Sequence, residues 1–431
     1  MLANRHASPT WGCGAKDPTA CPKRGYLSRL RLVNILRSRK LLLAAAVVLV
    51  LLAINEFRPV SEVHATQTIG SSSTVGTPSG PIPWPSGAQA ALGTANGNVI
   101  AATPASHPAP MASVAKVMTA LVVLDAKPLQ KGESGPSITI TPDDVTEFQQ
   151  RQANQESVVL VQAGEQLTEY QALQGLLIPS ANNLATVLAR WASGSMAAFV
   201  NRMNAKAGDL GLHRTTFADA AGTVDQTVST PIDMLRLGAA ALNNPVLVDI
   251  VSQLQATLPL AGSKPNVNYA LGQDGIFGIK TGNISSEGAI YLFAGNVQLG
   301  GGPKVVIIGA VQGLPTLQAA LDSGRALLRA AHSSLERHHA VSRDQTVGRY
   351  VLPWGASSDV VSTADLDLLV WGGTVLRMNL KTAPVGSAVS AKAEVGQLHV
   401  TAGDAVYDIE VVTTDPIPAP GFMARLTRLG W

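Results

Sequence analysis

At 431 residues the chain exceeds one typical domain, and its 46% hydrophobic content supports a sizeable packed core. Forty glycines and 26 prolines are near ordinary usage, which excludes collagen-like and low-complexity classes. The net charge of +3 is unevenly spread: residues 1–40 carry nine basic side chains against one acid, Asp17, and the remainder is left acidic. That remainder lacks the basic surplus needed to neutralise phosphates, so nucleic acid is excluded as a partner.

In chain order, the basic block 1–40 is followed by Leu41–Ile54, fourteen uncharged apolar residues. At 1.5 Å per residue this run covers roughly 21 Å, short of the roughly 30 Å hydrocarbon core, and reads as a signal-peptide core or a short transmembrane signal anchor. Val63-His64-Ala65 has the small-residue spacing of a cleavage site but lies far past the apolar run, which favours an uncleaved anchor. By the positive-inside rule residues 1–40 are a cytoplasmic tail and everything after Asn55 is extracytoplasmic, or secreted if the segment is cleaved. Both cysteines, Cys13 and Cys21, fall in that tail, so no disulfide framework is expected outside.

Residues 55–80, ending SSSTVGTPSG, read as a flexible linker. Ala88–Leu92 and Val99–Ala102 flank Asn96-Gly97, a hairpin-turn pair. Met111–Asp125 has the apolar spacing of a helix, and 168–177, 183–191, 231–242 and 314–331 also read as helices. The runs 275–281, 289–294 and 305–311 are β-prone, which predicts an α/β (α+β) fold with an antiparallel sheet flanked by helices over 81–335. After a polar stretch, β-prone runs alternate with turns over 345–417, a small all-β domain. At 421–431, Phe422, Met423, Leu426, Leu429 and Trp431 alternate with Arg425 and Arg428, a possible amphipathic tail at a membrane surface.

Three short motifs carry chemistry. Ser113-Val114-Ala115-Lys116 puts a lysine one helical turn from a serine hydroxyl; a neutral lysine can serve as the base such a nucleophile needs. Ser180-Ala181-Asn182 lies between two predicted helices, where a hydroxyl and an amide can share a cleft. Lys280-Thr281-Gly282 ends a β-prone run with a cation, a hydroxyl and a residue that allows close backbone approach. His338-His339 has no third ligand at metal spacing, so no metal and no other cofactor is expected, and the pair reads as a solvated loop.

The order SxxK, SxN, KTG, with gaps of 67 and 100 residues, resembles the signature of the active-site serine penicillin-recognising enzymes. Within them the chain is similar to D-alanyl-D-alanine carboxypeptidases of the low-molecular-mass penicillin-binding type. The similarity spans roughly residues 82–332, including PMASVAKVMTALVVL and GIKTGNISSEGAIYLFAG, and the small β domain with PIPAPGF looks like that family's C-terminal module. The resemblance implies a β-lactamase/transpeptidase-like catalytic domain acting on peptidoglycan stem peptides, with β-lactams as covalent inhibitors.

It further implies that Ser113 is the nucleophile and Lys116 its base, that Ser180 relays a proton, and that Asn182 holds the substrate amide and Lys116. Lys280 and Thr281 would bind the terminal carboxylate, and the backbone N–H groups of Ser113 and Asn283, beside Gly282, would form the oxyanion hole. The Ala at the middle of SxN stands where Gly is usual. No Glu-x-x-x-Asn follows SxN, and Glu165 precedes it, which argues against an efficient β-lactamase. The alternatives are a DD-endopeptidase on cross-linked peptidoglycan, or a catalytically silent penicillin-fold binding module.

Overall fold

The computed structural model describes residues 26–427 apart from 105 and 301. Cys13, Cys21 and most of the basic tail lie outside the described residues, as do Arg428, Leu429 and Trp431. Helix α1 (Tyr26–Phe57) begins well before the apolar segment and ends less than a turn after it. Its stretch Arg39–Phe57 is strongly apolar between Lys40 and Asn55 and is not buried, and at 19 residues it is about 28 Å long, enough by length and composition to cross a membrane.

The catalytic half is built on a five-stranded antiparallel sheet with neighbours in the order 276–284, 288–298, 304–314, 89–94 and 99–102. Along 288–298 the side chains alternate: Ile290, Leu292 and Ala294 enter one core, and Ala289, Tyr291 and Phe293 enter the other. The first core is covered by α2 (Ala115–Ala126), α3 (Pro142–Ala153), α4 (Glu169–Leu177), α5 (Asn182–Ser193), α6 (Met196–Asp209), α7 (Pro231–Leu242) and α8 (Pro245–Val251). The second is covered by α9 (Leu317–Ser334). Gly324 of α9 is what allows that helix so close, since a Cβ there would sit 2.9 Å from the Tyr291 ring.

Asn96-Gly97 does form the hairpin turn, with Gly97 at φ +80°, where a side chain would be strained. Thr141, Thr168, Thr230 and Thr316 cap α3, α4, α7 and α9 with their hydroxyls, which sets where these helices begin.

Segment 55–80 is not the flexible linker expected from its Ser/Thr/Gly composition. Five strands, 346–351, 357–362, 405–413, 394–402 and 375–382, form a sheet whose outer edges are covered by Thr66–Gln67 and Ser72–Thr74. Gln67 links the two edges: beside its pairing with 346–351, its side chain donates to the Met378 carbonyl and accepts from the Leu380 N–H. Val75 is buried in that core, and Val63 is bridged to Val385. The region was misread because backbone pairing satisfies edge strands without demanding an apolar pattern from them. Helix α10 (Phe422–Thr427) ends the described chain beside α1, where the Asn55 amide donates to the carbonyls of Arg425 and Leu426.

A chain beginning at residue 76 should therefore lose its β-domain melting transition or show it lowered by roughly 5 °C or more relative to one beginning at residue 59. Matching melting curves for the two would show that the segment adds nothing to the domain.

Glu169, at the first turn of α4, is fully buried with no partner on either carboxylate oxygen. Burial raises its pKa to about 7, against a weaker downward pull from Lys127. The folded value exceeds the unfolded one, so the stabilising contribution is complete below the ordinary value of 4.5 and lost as pH rises through about 7. Glu169→Gln should stabilise the fold at pH 8 by about 1–3 kcal/mol and do little at pH 4.5, as read by denaturant unfolding at both pH values.

Candidate active site

Ser113 sits in a single 3-10 turn, Ala112–Val114, that feeds directly into α2. Ala112 has φ +45°, a left-handed conformation held by close packing from two sides. Gly222 lies against it so tightly that a Cβ would fall 1.8 Å from the Ala112 carbonyl oxygen. On the other side a Cβ on Gly282 would come 3.1 Å from the Ser113 backbone nitrogen. The glycine of KTG thus lets the 276–284 strand run alongside the serine turn.

Lys116 is fully buried, with Nζ 2.7 Å from Ser113 Oγ and donating to the Ala221 carbonyl at 3.0 Å. Burial first, and then the charge of Lys280, hold its pKa well below the ordinary lysine value; Asp219 and Glu156 pull the other way. The Ala221 carbonyl is held in place by Asp219, whose carboxylate accepts from the backbone of Ala221 and Thr223 and from the hydroxyls of Thr223 and Thr227. Thr119 Oγ1, one turn beyond Lys116, donates to the Ala220 carbonyl and ties α2 to the same loop.

Ser180 lies in the loop between α4 and α5 at φ +65°, and Asn182 is the first residue of α5 rather than a loop residue. Both are buried. The expected Asn182–Lys116 hydrogen bond is not present. Instead Asn182 Nδ2 donates to Glu156 Oε2 at 2.7 Å, and its Oδ1 is buried without a partner. Lys280 is buried on the edge strand, donates to the Thr281 carbonyl at 3.0 Å, and has its pKa lowered to about 7 by burial.

Ser113, Ser180, Asn182, Thr281, Gly282 and Asn283 line one cavity of about 500 Å³. Lys116 lies behind Ser113, and Lys280 lies behind Thr281. The arrangement offers a nucleophile with a depressed-pKa amine against it, a second cation one strand residue from a hydroxyl, and a desolvated amide oxygen. Glu156 and Asp219 were not singled out from sequence: each acts on a motif residue distant along the chain and has no local pattern of its own.

His338 and His339 lie on the strand 335–341, not in a loop. His339 joins Asp367 through Nδ1 at 2.8 Å and Ser342 through Nε2 at 2.7 Å. The backbone N–H groups after Ser342 are committed: Arg343 to Asp365, Asp344 to the Ser362 carbonyl, and Gln345 to the Ser342 carbonyl. They offer no oxyanion hole, and this exposed chain of hydrogen bonds is a surface link between strands.

Fold and site together define an active-site serine enzyme of the penicillin-recognising kind. The family model of D-alanyl-D-alanine carboxypeptidases matches residues 82–301, and the chain belongs to that family. It is 25% identical over 330 residues to the D-alanyl-D-alanine carboxypeptidase DacF of Bacillus subtilis, covering 74% of this chain and 82% of that one. With the D-alanyl-D-alanine endopeptidase of Pseudomonas aeruginosa it shares 34% identity over 164 residues, 38% of this chain and 48% of the relative.

Penicillin binding protein 5 of Haemophilus influenzae superposes with a TM-score of 0.61 at 20% identity, over 79% of this chain and 100% of that one. The carboxypeptidase DacD of Francisella tularensis gives 0.61 at 18% identity, over 80% and 97%. The fold is thus that of the low-molecular-mass penicillin-binding proteins.

Two buried lysines behind one cleft set a pH profile. Acylation of Ser113 by a β-lactam should fall as the pH is lowered and Lys116 takes up a proton. Lys280→Met removes a like charge, so the acidic limb should move to higher pH. For a substrate with a free carboxylate, kcat/KM should also fall above about pH 7 as Lys280 in the free protein loses its proton. Stopped-flow acylation across pH measures all three, and an unmoved acidic limb in the Lys280→Met protein would mean that the lysines do not interact.

Proposed function

We propose that the protein is a membrane-anchored serine D-Ala-D-Ala carboxypeptidase that removes the terminal D-alanine from peptidoglycan stem peptides. The observation that carries this reading is the 2.7 Å approach of Lys116 Nζ to Ser113 Oγ, with burial holding the amine's pKa well below the ordinary lysine value. Ser113 Oγ attacks the carbonyl carbon between the two D-alanines while Lys116 takes its proton. The tetrahedral oxyanion is met by the backbone N–H groups of Ser113 and Asn283. The C–N bond then breaks, the leaving amine takes a proton by way of Ser180, and D-alanine departs.

Water, deprotonated by the same amine, attacks the acyl ester and regenerates Ser113. Lys280 and Thr281 receive the terminal carboxylate, and Asn182 Oδ1 accepts from the peptide N–H. A β-lactam enters the first half of this cycle and remains as an ester on Ser113. The apolar stretch of α1 supplies the anchor; its basic N-terminal flank supports residues 1–40 inside and the catalytic half outside.

The endopeptidase reading has its own support: three named endopeptidases are 31–34% identical to this chain, over 48–61% of their lengths. Full-length protein in detergent should release D-alanine from a lysyl-D-Ala-D-Ala peptide, and Ser113→Ala should reduce release by at least about a thousandfold. Retained release in that variant would remove the mechanism. Cleavage of cross-linked muropeptides in preference to the linear peptide would favour the endopeptidase.

A further inference from the structure

The amide of Asn182 faces a definite way, and a residue outside the three motifs sets it. Glu156 follows α3 and lines the cavity beside Asn182. Its Oε2 accepts from Asn182 Nδ2 at 2.7 Å and from Arg151 Nη1 at 2.6 Å. A carboxylate only accepts, so the half of the amide turned towards it must be the nitrogen. Reversal would set Oδ1 against a carboxylate oxygen at hydrogen-bond distance, two acceptors with no proton between them. Oδ1 is left as a desolvated acceptor without a partner.

Glu156 is itself fixed. Its backbone N–H donates to the Arg151 carbonyl, and Arg151 Nε donates to Glu147 Oε1 at 2.7 Å. Thr186 Oγ1 also donates to Glu147 Oε1, at 2.6 Å. Asn182 and Thr186 are four residues apart on α5 and share one face, so the helix holds both the middle of α3 and the segment that follows it. The Asn182 N–H completes the hold by donating to the Ser157 carbonyl at 2.7 Å.

We infer that Glu156 is a positioning residue: by accepting from Asn182 Nδ2 it keeps Asn182 Oδ1 turned to the cleft, where it meets the N–H of a bound peptide or the proton that Lys116 gains during acylation. This rests on the carboxypeptidase reading of Ser113 and Lys116. Removing the carboxylate frees the amide to turn, and a misplaced polar contact at the reacting centre costs rate rather than fold.

The test uses full-length protein in detergent, with fluorescent penicillin acylation and D-alanine release measured for the wild type, Glu156→Ala, Glu156→Gln, Asn182→Ala and Glu156→Ala/Asn182→Ala. Glu156→Ala is expected to slow acylation by about ten- to a hundredfold, in kcat more than in KM. Glu156→Gln, whose amide oxygen still accepts from Asn182, is expected to recover much of that loss. In the Asn182→Ala background Glu156→Ala should add almost nothing. Should Glu156→Ala fail to fold, the comparison is read on Glu156→Gln, with a smaller loss that again vanishes without Asn182.

A wild-type rate in both Glu156 variants, or an undiminished further loss in the Asn182→Ala background, overturns the inference while leaving the carboxypeptidase reading intact. Absence of Ser113-dependent acylation in the wild type overturns both.

Discussion

The structure depends on keeping an amine dry beside a hydroxyl. Lys116 lies on a helix in which ten of twelve residues are buried, so α2 runs through the middle of the larger core rather than over its surface. A lysine in that position is costly unless it sheds its proton or finds partners, and here the partners are the Ser113 hydroxyl and the Ala221 carbonyl. The helices packed around α2 supply the desolvation that lowers the pKa of the amine. The loop organised by Asp219 supplies the carbonyl acceptor that, with the Ser113 hydroxyl, orients the amine. Burial of the amine and construction of the core are one requirement met by the same side chains.

The second cation extends that logic. Lys280 is brought near Lys116 by the edge strand 276–284, which approaches the serine turn only because Gly282 has no side chain. The charge of Lys280 adds to burial in holding the Lys116 pKa down, while burial lowers that of Lys280 to about 7. A carboxylate entering the cleft favours protonation of Lys280, and that charge in turn disfavours protonation of Lys116. A carboxylate bound at Lys280 and the protonation of Lys116 are therefore coupled through one electrostatic interaction across the cleft.

Much of this site was legible from sequence because its chemistry sits in three runs of three or four residues. Ser113 and Lys116 are neighbours by helical geometry alone, and Lys280, Thr281 and Gly282 share one strand end. The orientation of Asn182 was not legible: it is set by Glu156, 26 residues earlier, whose relevance appears only when the end of α3 meets the start of α5. The helix over 231–242 was read to the residue because Thr230 and Pro231 mark its start and the apolar spacing fills it. The strands at 66–67 and 72–74 carry no such mark, since an edge strand of two or three residues is held by a partner's backbone and its side chains remain free to be polar.

Those two short strands change how the halves of the chain are mechanically related. A flexible Ser/Thr/Gly-rich stalk would let a catalytic domain wander from α1 over a distance that grows as the square root of the stalk's length. Here the chain leaving Phe57 is bridged at Val63, paired at Thr66–Gln67 and at Ser72–Thr74, and buried at Val75 before it enters the catalytic sheet. The far end returns to the same place, with α10 held by Asn55 at the end of α1. The β domain is thus entered and left beside one helix, and its edges are closed by the segment that connects that helix to the active site. Displacing the catalytic half from the helix would require breaking sheet hydrogen bonds, so the distance between them is a property of the fold rather than of a tether.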